Sequence, residues 1–441
     1  MKQSKHNIYY SPKEVRTILE RSIDTALDGL KGYCNDPVSD FTRCRKLPAR
    51  TLIECIMSFS NYSSIGELSH FFVGHGEMPS ASALSQRRQL LDPDIFKRIN
   101  NLFVSAFDDH TTINGYHILA QDGSDVNIPF MDDKTKTEKH DAKSFCQYHV
   151  NALYDCINKV FYDWSIDAAS KKREVNALIS ILKDRNYPQN SIFTADRGYE
   201  SYNLMAHFIE NDTKFVIRVK DIHTKSGLMT NIKTEEGAFD MRINRTLTSL
   251  QTKEIKADKE KYIFVPSTSN FDFLDENRDF YDLSFRAVRF KISEDTYETV
   301  VTNLSEEEFK TEDFKELYHY RWNEETAFNK LKYTIGLVYF HARKRKLIQQ
   351  EINAAFLMYN VSEVIIRNID LKKNKKPELE YDYKPNFSSA VTNIRLYLRK
   401  KISMKELIHR IKKFLVGQRP ERSFERNIKG QSCKPLNYRT S

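Results

Sequence analysis

The sequence predicts an α/β protein with a mixed five-stranded sheet, a β-rich insertion and helical regions at both ends. From Tyr116 the spacing of apolar residues changes from a helical period to short strand-like runs, and no long helix separates the first three runs. A helical stretch at 174–185, a fourth run, a second helix and a fifth run at 215–219 follow, the alternation typical of α/β domains. A charged, turn-rich stretch with alternating apolar residues at 221–298 then interrupts the domain before a last strand and a long helix.

These changes divide the 441 residues into five consecutive regions. Because the first three strands can pair as hairpins and the last two follow helices, their order fits a ribonuclease-H-like sheet. With 40 % apolar and 12 % aromatic residues the chain can form real cores, which excludes wholesale disorder. The regions are a helical N-terminal region expected to bind DNA (1–110), the first part of the ribonuclease-H-like catalytic domain (111–220), the β-rich insertion (221–298), the second part of that domain (299–370) and a basic helical C-terminal region (371–441).

Charge is distributed unevenly along the chain, whose 69 Lys and Arg and 60 Asp and Glu give a formal net charge of +9. Residues 1–50 carry +4 and residues 341–441 carry +15, so the 290 residues between them carry −10. A basic C-terminal block beside an acidic middle indicates a polyanionic partner handled by carboxylates. Nucleic acid is the first candidate.

The sequence also argues against several classes of protein. Its longest uninterrupted apolar runs, such as 354–359, fall far short of the roughly 20 residues that span a bilayer, so we expect no membrane helix. Residues 1–15 are polar and lack the apolar segment of a secretory signal, which predicts a cytoplasmic protein. Six cysteines without a Cys-x-x-Cys pair argue against a zinc ribbon and a disulfide scaffold.

The N-terminal region contains the outline of a helix-turn-helix DNA reader. A helical run at 65–72 is followed by a Gly-containing turn at 73–79 and by a small-residue helix that starts at Ser80 and carries Arg87 and Arg88. An ordinary helical bundle explains the same pattern equally well.

Two aspartates lie on or directly after predicted strands. Asp122 lies within an apolar strand, where an ionised carboxylate costs several kcal/mol to desolvate unless it meets a cation. Asp196 closes the strand-like run at 191–195, and ligand sites of open α/β sheets cluster at such strand ends. Both are therefore candidate metal ligands that require a third carboxylate, while the alternative is a turn-forming Asp beside Gly.

The long helix predicted from about 311 to 333 offers that third carboxylate. At 100° per residue, four of its side chains fall within about 60° of one another on one face. They are Tyr318, Arg321, Glu325 and Lys332. The alternative is a solvated helix whose Arg and Glu, four residues apart, form an ordinary surface ion pair.

The spacing of these four side chains, Tyr-x2-Arg-x3-Glu-x6-Lys, resembles the signature of one group of bacterial insertion-sequence transposases, the Tyr-Arg-Glu-Lys subgroup of the insertion-sequence-four family of DDE enzymes. The segment Asp122-Gly-Ser resembles the family's first-aspartate strand, and 195–202 resembles its second-aspartate block. Residues 215–220 resemble the strand before its β-rich insertion. The resemblance runs in order over about residues 80–360.

The resemblance implies a catalytic triad formed by Asp122, Asp196 and Glu325. In this family the triad holds two divalent metal ions, and oxygen ligands suit Mg²⁺ or Mn²⁺. Two such cations about 4 Å apart can activate water or a 3′-hydroxyl and stabilise the leaving oxygen during in-line attack on phosphorus. Asp125 and Asp155 also lie on predicted strands, either supporting these ligands or serving as polar strand ends.

The resemblance also assigns three residues of the long helix to the DNA end, namely Tyr318, Arg321 and Lys332. Their donors would bind the terminal phosphate without needing to titrate. Three more basic residues nearby in sequence are either additional phosphate contacts or surface charges: Arg197, Arg218 and Lys220.

The function that follows is transposition. The protein would bind the double-stranded terminal inverted repeats of its element, cut them by metal-assisted hydrolysis and join the 3′-hydroxyl ends to target DNA. The basic flanks would contact DNA or support a dimer in the DNA complex, in the cytoplasm of a bacterium and associated with the nucleoid. A ribonuclease-H-like nuclease or resolvase without strand transfer, and a catalytically idle DNA-binding descendant of a transposase, are the alternatives.

Overall fold

The computed structural model of the protein describes most of the chain. The described residues are 1–4, 9–43, 46–74, 76–108, 110–139, 142–169, 174–222, 224, 226–293, 296–371 and 382–418. The predicted basic C-terminal region therefore lies partly outside the described residues, since 372–381 and 419–441 are not among them.

The N-terminal region is helical, as predicted. Its helices are α1 (Pro12–Asp28), α2 (Ala49–Met57), α3 (Ser64–Phe72), α4 (Ala81–Leu90) and α5 (Asp94–Val104). At the start of α1 the Ser11 side chain accepts from the Glu14 amide, while the Glu14 carboxylate accepts from the Ser11 amide. This reciprocal cap satisfies two backbone donors that the first turn would otherwise leave free.

The next elements form the first part of the central sheet. They are β3 (His117–Ile128), β4 (Lys136–Lys139), β5 (Ala142–Asp155), β6 (Val160–Ala168), β7 (Ser191–Ala195) and β8 (Lys214–Val219), accompanied by the helices α6 (Glu174–Asp184) and α7 (Tyr202–Glu210). Two short strands, β1 (Gln3–Ser4) and β2 (Thr112–Ile113), pair with each other in a separate sheet. β3 pairs antiparallel with β5, and β5 with β6, whereas β7 and β8 run parallel to β3. The mixed α/β architecture and the order of the five predicted strands are confirmed.

The insertion does not fold as a sheet of its own. It contributes β9 (Phe239–Thr248), α8 (Lys253–Ala257), β10 (Tyr262–Phe264) and β11 (Phe280–Ser293), after which β12 (Thr296–Thr302) follows. β12 pairs with β8, and β11 pairs with both β12 and β9. Within the described residues the central sheet therefore has ten strands. The predicted count of five is wrong because β4, β12 and the three strands of the insertion extend the same sheet.

The C-terminal part returns to helices. They are α9 (Asp313–His319), α10 (Trp322–Lys330), α11 (Arg345–Arg367), α12 (Phe387–Leu398) and α13 (Met404–Lys413), with β13 (Asp382–Pro385) paired to β14 (Leu415–Gln418). Helix α11 is buried along most of its length and packs against α2, α5 and β6. It therefore joins the N-terminal helices to the sheet. Among the described residues, no helix combines the length and apolarity needed to cross a membrane.

The long helix predicted over 311–333 is interrupted twice. Between α9 and α10 the amides bond three residues back, so that the Arg321 amide donates to the Tyr318 carbonyl at 3.2 Å and the Glu324 amide to the Arg321 carbonyl at 3.0 Å. After α10 the chain widens into a π turn over Leu331–Ile335. The uniform step of 100° per residue, on which the single stripe rested, does not hold along this segment.

A buried histidine connects the helical regions. Nδ1 of His341 lies 3.1 Å from Oε2 of Glu351 on α11, and Nε2 lies 3.4 Å from Oε1 of Glu67 on α3. Burial alone would lower the pKa of His341, but the charges and hydrogen bonds of the two glutamates outweigh burial and raise that pKa. The protonated imidazole therefore stabilises the fold.

The thermal midpoint of the protein should fall as the pH rises above about 6.5. The pKa of His341 in the folded protein is raised above this ordinary histidine value, so the stabilising proton is lost in that range. This stabilisation is complete below the ordinary histidine pKa and disappears as the pH passes the folded value. His341→Gln should flatten that part of the midpoint-versus-pH curve, whereas the exposed His409 substituted in the same way should leave it unchanged. Equal curves for the wild type and His341→Gln would contradict the prediction.

Candidate active site

The parallel pairing of β3 with β7 places the two candidate aspartates side by side. Ala120 on β3 is opposite Thr194 on β7, and Asp122 and Asp196 each follow by two residues. Because side chains alternate between the two faces of a sheet, this even offset keeps both side chains on the same face. Neighbouring strands lie about 4.8 Å apart in the pairing direction. Asp196 also accepts a hydrogen bond of 2.8 Å from the Gly198 amide.

A buried arginine joins the third candidate carboxylate to this pair. Nη1 of Arg321 lies 3.8 Å from Oδ2 of Asp122, and Nη2 lies 3.3 Å from Oε1 of Glu325 on α10. Arg321 is only 4 % exposed, and its pKa is raised because the neighbouring Tyr318 and carboxylates, Asp196 among them, outweigh the cost of burial. The structure therefore gathers the three predicted carboxylates around one guanidinium.

The site carries more negative charge than Arg321 balances. Burial raises the pKa of Asp122 to about 6, and the charges of Asp196 and Glu174 act in the same direction, against the Gly123 amide and Arg321. Ionising Asp122 therefore costs free energy unless another cation arrives.

Glu324, beside the predicted Glu325, was not singled out by sequence reasoning. It is fully buried, and among the described residues neither of its carboxylate oxygens has a hydrogen-bond partner of good geometry. Burial, followed by the charge of Asp122, raises its pKa well above the usual range. The sequence signal was only a Glu-Glu pair, which is equally common on a solvated helix face.

The predicted DNA-end residues have different surroundings. Tyr318 is 2 % exposed and its ring lies 5.6 Å from the Arg321 guanidinium, while Arg218 pairs with Glu298 at 2.9 Å and its charge reaches Tyr318. Lys332 is half-buried in the π turn after α10. The other two basic candidates, Arg197 and Lys220, are exposed.

The arginines of the suspected helix-turn-helix are not exposed to DNA. Arg87 and Arg88 on α4 are 8 % and 3 % exposed. Nε of Arg87 donates to the Leu47 carbonyl at 3.1 Å, and Nη2 of Arg88 donates to Glu351 at 2.8 Å. The interpretation of these two arginines as DNA-reading side chains is wrong, since both stabilise the interior.

The two additional strand aspartates have distinct roles. Asp155 is fully buried and accepts from Asn158 and His117, which marks it as a structural carboxylate. Asp125 instead lies 2.7 Å from Nδ1 of His149, whose Nε2 is 3.1 Å from Glu174. Asp125 thus belongs to a chain of polar groups that leads toward the site.

A family model of the transposase DDE domain matches residues 113–361, which include Asp122, Asp196 and Glu325. The chain belongs to this family. One solved structure, titled "Cryo-EM structure of piggyBac transposase synaptic complex with hairpin DNA", shares 12 % identity and a TM-score of 0.46 with it, over 96 % of this chain and 90 % of that chain. No curated protein matches the sequence.

The donors in this DDE domain fit a hard divalent cation in kind. All three predicted ligands are carboxylates. The buried Glu324 carboxylate, which has no hydrogen-bond partner of good geometry among the described residues, and the raised pKa of Asp122 indicate a shortage of positive charge. Among the described residues, no three carboxyl, imidazole or thiol groups are close enough together to hold a metal ion. In this arrangement Arg321 supplies the positive charge between Asp122 and Glu325.

Proposed function

We propose that the protein is a DDE transposase of the insertion-sequence-four family, Tyr-Arg-Glu-Lys subgroup, built on a ribonuclease-H-like sheet. It would bind the terminal inverted repeats of its element, hydrolyse phosphodiester bonds at their ends and join the 3′-hydroxyl ends to target DNA. The observation that carries the proposal is the clustering of Asp122, Asp196 and Glu325 around Arg321, within the segment that matches the DDE domain.

Asp122, Asp196 and Glu325 would hold two Mg²⁺ or Mn²⁺ ions at this site. When bound, such ions activate a water or 3′-hydroxyl nucleophile and stabilise the leaving oxygen. The protein's contribution is to carry the three carboxylates on neighbouring parts of the sheet and on a helix packed against it.

Arg321 would receive the terminal phosphate. Its Nε is buried without a hydrogen-bond partner among the described residues, and a guanidinium with a free donor suits a phosphate oxygen. Tyr318 and Arg218 lie beside it, and Lys332 follows on the same chain segment. The exposed Arg197 and Lys220 would contact the backbone farther from the scissile bond.

DNA cleavage with Mg²⁺ tests the proposal. The full chain is incubated with a duplex that ends in the inverted repeats flanking its gene, together with a target plasmid. We expect strand breaks at the repeat ends and joined products, both abolished by a chelator, and DNA binding that weakens steeply with salt. Breaks without joined products would favour the nuclease alternative, and chelator-insensitive binding without breaks would favour the idle DNA-binding protein.

A further inference from the structure

We propose that Glu174 is a fourth carboxylate of the catalytic centre and that it helps to hold the divalent cation there, beside Asp122 and Asp196. The inference rests on the proposed function and extends it to a residue outside the family signature. Glu174 is the first residue of α6, the helix that follows β6 in the chain.

Two glycines show where the Glu174 carboxylate lies. A Cβ atom added to Gly123, next to Asp122, would lie 2.9 Å from Oε1 of Glu174. A Cβ atom added to Gly198, two residues after Asp196, would lie 3.7 Å from Oε2 of Glu174 and 3.0 Å from Oδ1 of Asp196. The Glu174 carboxylate therefore lies between the segments that carry the two aspartates, and the missing side chain of Gly123 makes room for it.

A buried histidine fixes the orientation of this carboxylate. Nε2 of His149 lies 3.1 Å from Oε1 of Glu174, and Nδ1 of the same ring lies 2.7 Å from Oδ1 of Asp125. His149 is 1 % exposed and sits on β5, opposite Asp125 on β3. With Oε1 beside the imidazole, Oε2 lies on the side of Gly198 and the Asp196 carboxylate, where the two carboxylates could share a cation.

A separate observation points to a cation site at this place. Among the described residues, the fully buried carboxylate of Glu324 has no hydrogen-bond partner of good geometry, although the backbone and the charge of Asp122 both act on it. Arg321 is the cation placed between Asp122 and Glu325. Because a single guanidinium does not balance the negative charge of these carboxylates, the site can accept at least one divalent ion.

Direct measurement of Mn²⁺ binding tests the proposal without relying on activity. Mn²⁺ is titrated into the full chain and followed by electron paramagnetic resonance, which reports the free ion. We expect Glu174→Gln to weaken Mn²⁺ binding at least about 10-fold. Asp184→Asn, an exposed carboxylate at the other end of α6, should leave binding unchanged.

The thermal midpoint separates a metal ligand from a merely structural residue. Without metal, Glu174→Gln should keep the wild-type midpoint, and added Mn²⁺ should then raise the midpoint less than it does for the wild type. Gly198→Ala, which keeps every charge but adds a methyl group 3.0 Å from Asp196, should weaken Mn²⁺ binding as well.

A Mn²⁺ affinity of Glu174→Gln equal to that of the wild type would overturn the assignment of Glu174. If the thermal midpoint without metal were lowered at the same time, the role of Glu174 would be structural. If the wild type binds Mn²⁺, Glu174→Gln weakens it and yet the wild type cuts no DNA, the proposed function fails while the assignment of Glu174 stands. A wild type that binds no Mn²⁺ overturns both.

Discussion

Asp122→Asn is expected to reduce the rate of DNA cleavage by at least about 10³-fold. Metal ions contribute several kcal/mol of charge stabilisation in the transition state, and about 4 kcal/mol corresponds to that factor. Asparagine keeps the shape of Asp122 but removes the charge that would attract the cation. The measurement is single-turnover cleavage of the inverted-repeat duplex at saturating protein and Mg²⁺.

The same substitution should not destabilise the metal-free protein. Burial raises the pKa of Asp122 to about 6, so the folded protein binds a proton more tightly than the unfolded chain. The contribution of Asp122 to folding stability is therefore favourable below its unfolded pKa and is lost as the pH rises through about 6. At pH 8 without metal, the thermal midpoint of Asp122→Asn should equal or exceed that of the wild type.

The exposed Asp184 provides the control, because Asp184→Asn removes one negative charge far from the candidate ligands. If Asp122→Asn cleaves DNA at the wild-type rate, Asp122 does not belong to the catalytic centre. A large fall in its thermal midpoint would show instead that the lost cleavage reflects misfolding.

Arg88→Ala is expected to lower the free energy of unfolding by about 3–5 kcal/mol. Nη2 of Arg88 donates to Oε1 of Glu351 at 2.8 Å and to the Leu347 carbonyl at 2.7 Å, and Nε donates to Gln350 at 3.2 Å. Truncation leaves a buried carboxylate with one cation fewer and a cavity between α4 and α11. Burial alone would raise the pKa of Glu351, but Arg88 and His341 lower it to about 2.

The readout is the midpoint of thermal or urea unfolding, with Arg98→Ala as the control, since Arg98 is an exposed arginine on α5. Reduced DNA binding by Arg88→Ala with an unchanged unfolding midpoint would contradict a structural role. That result would restore the DNA-reading interpretation of α4.

The elements of the central domain could be predicted because local patterns specify them. Strands β7 and β8 are short apolar runs between turn signals, and α11 carries apolar residues around its whole circumference. The insertion could not be placed in the same way. Its attachment depends on the pairing of β12 with β8, a contact between segments about 80 residues apart, and alternation of side chains does not identify a partner strand.

The predicted site residues fall into two groups. Strand ends and motif spacing predicted Asp122, Asp196 and Glu325; Arg321 lies near Asp122 and Glu325, and Asp196 follows the strand that pairs with the Asp122 strand. Glu174 and Glu324 gave no distinguishable signal. A glutamate in the first turn of a helix is favoured by the helix dipole alone, so the presence of Glu174 there did not indicate a role at the site.

By itself the sequence determined the class of fold, the order of the central strands and the three carboxylates of the candidate site, because period, turn chemistry and motif spacing are properties of neighbouring residues. Only the tertiary structure decided what those residues meet. Arg88 pairs with Glu351, 263 residues away, and is therefore an interior cation. Glu174 reaches the two aspartates only because β3, β7 and α6 converge there. Burial and pairing depend on contacts that are distant in sequence, and these separate a structural charge from a functional one.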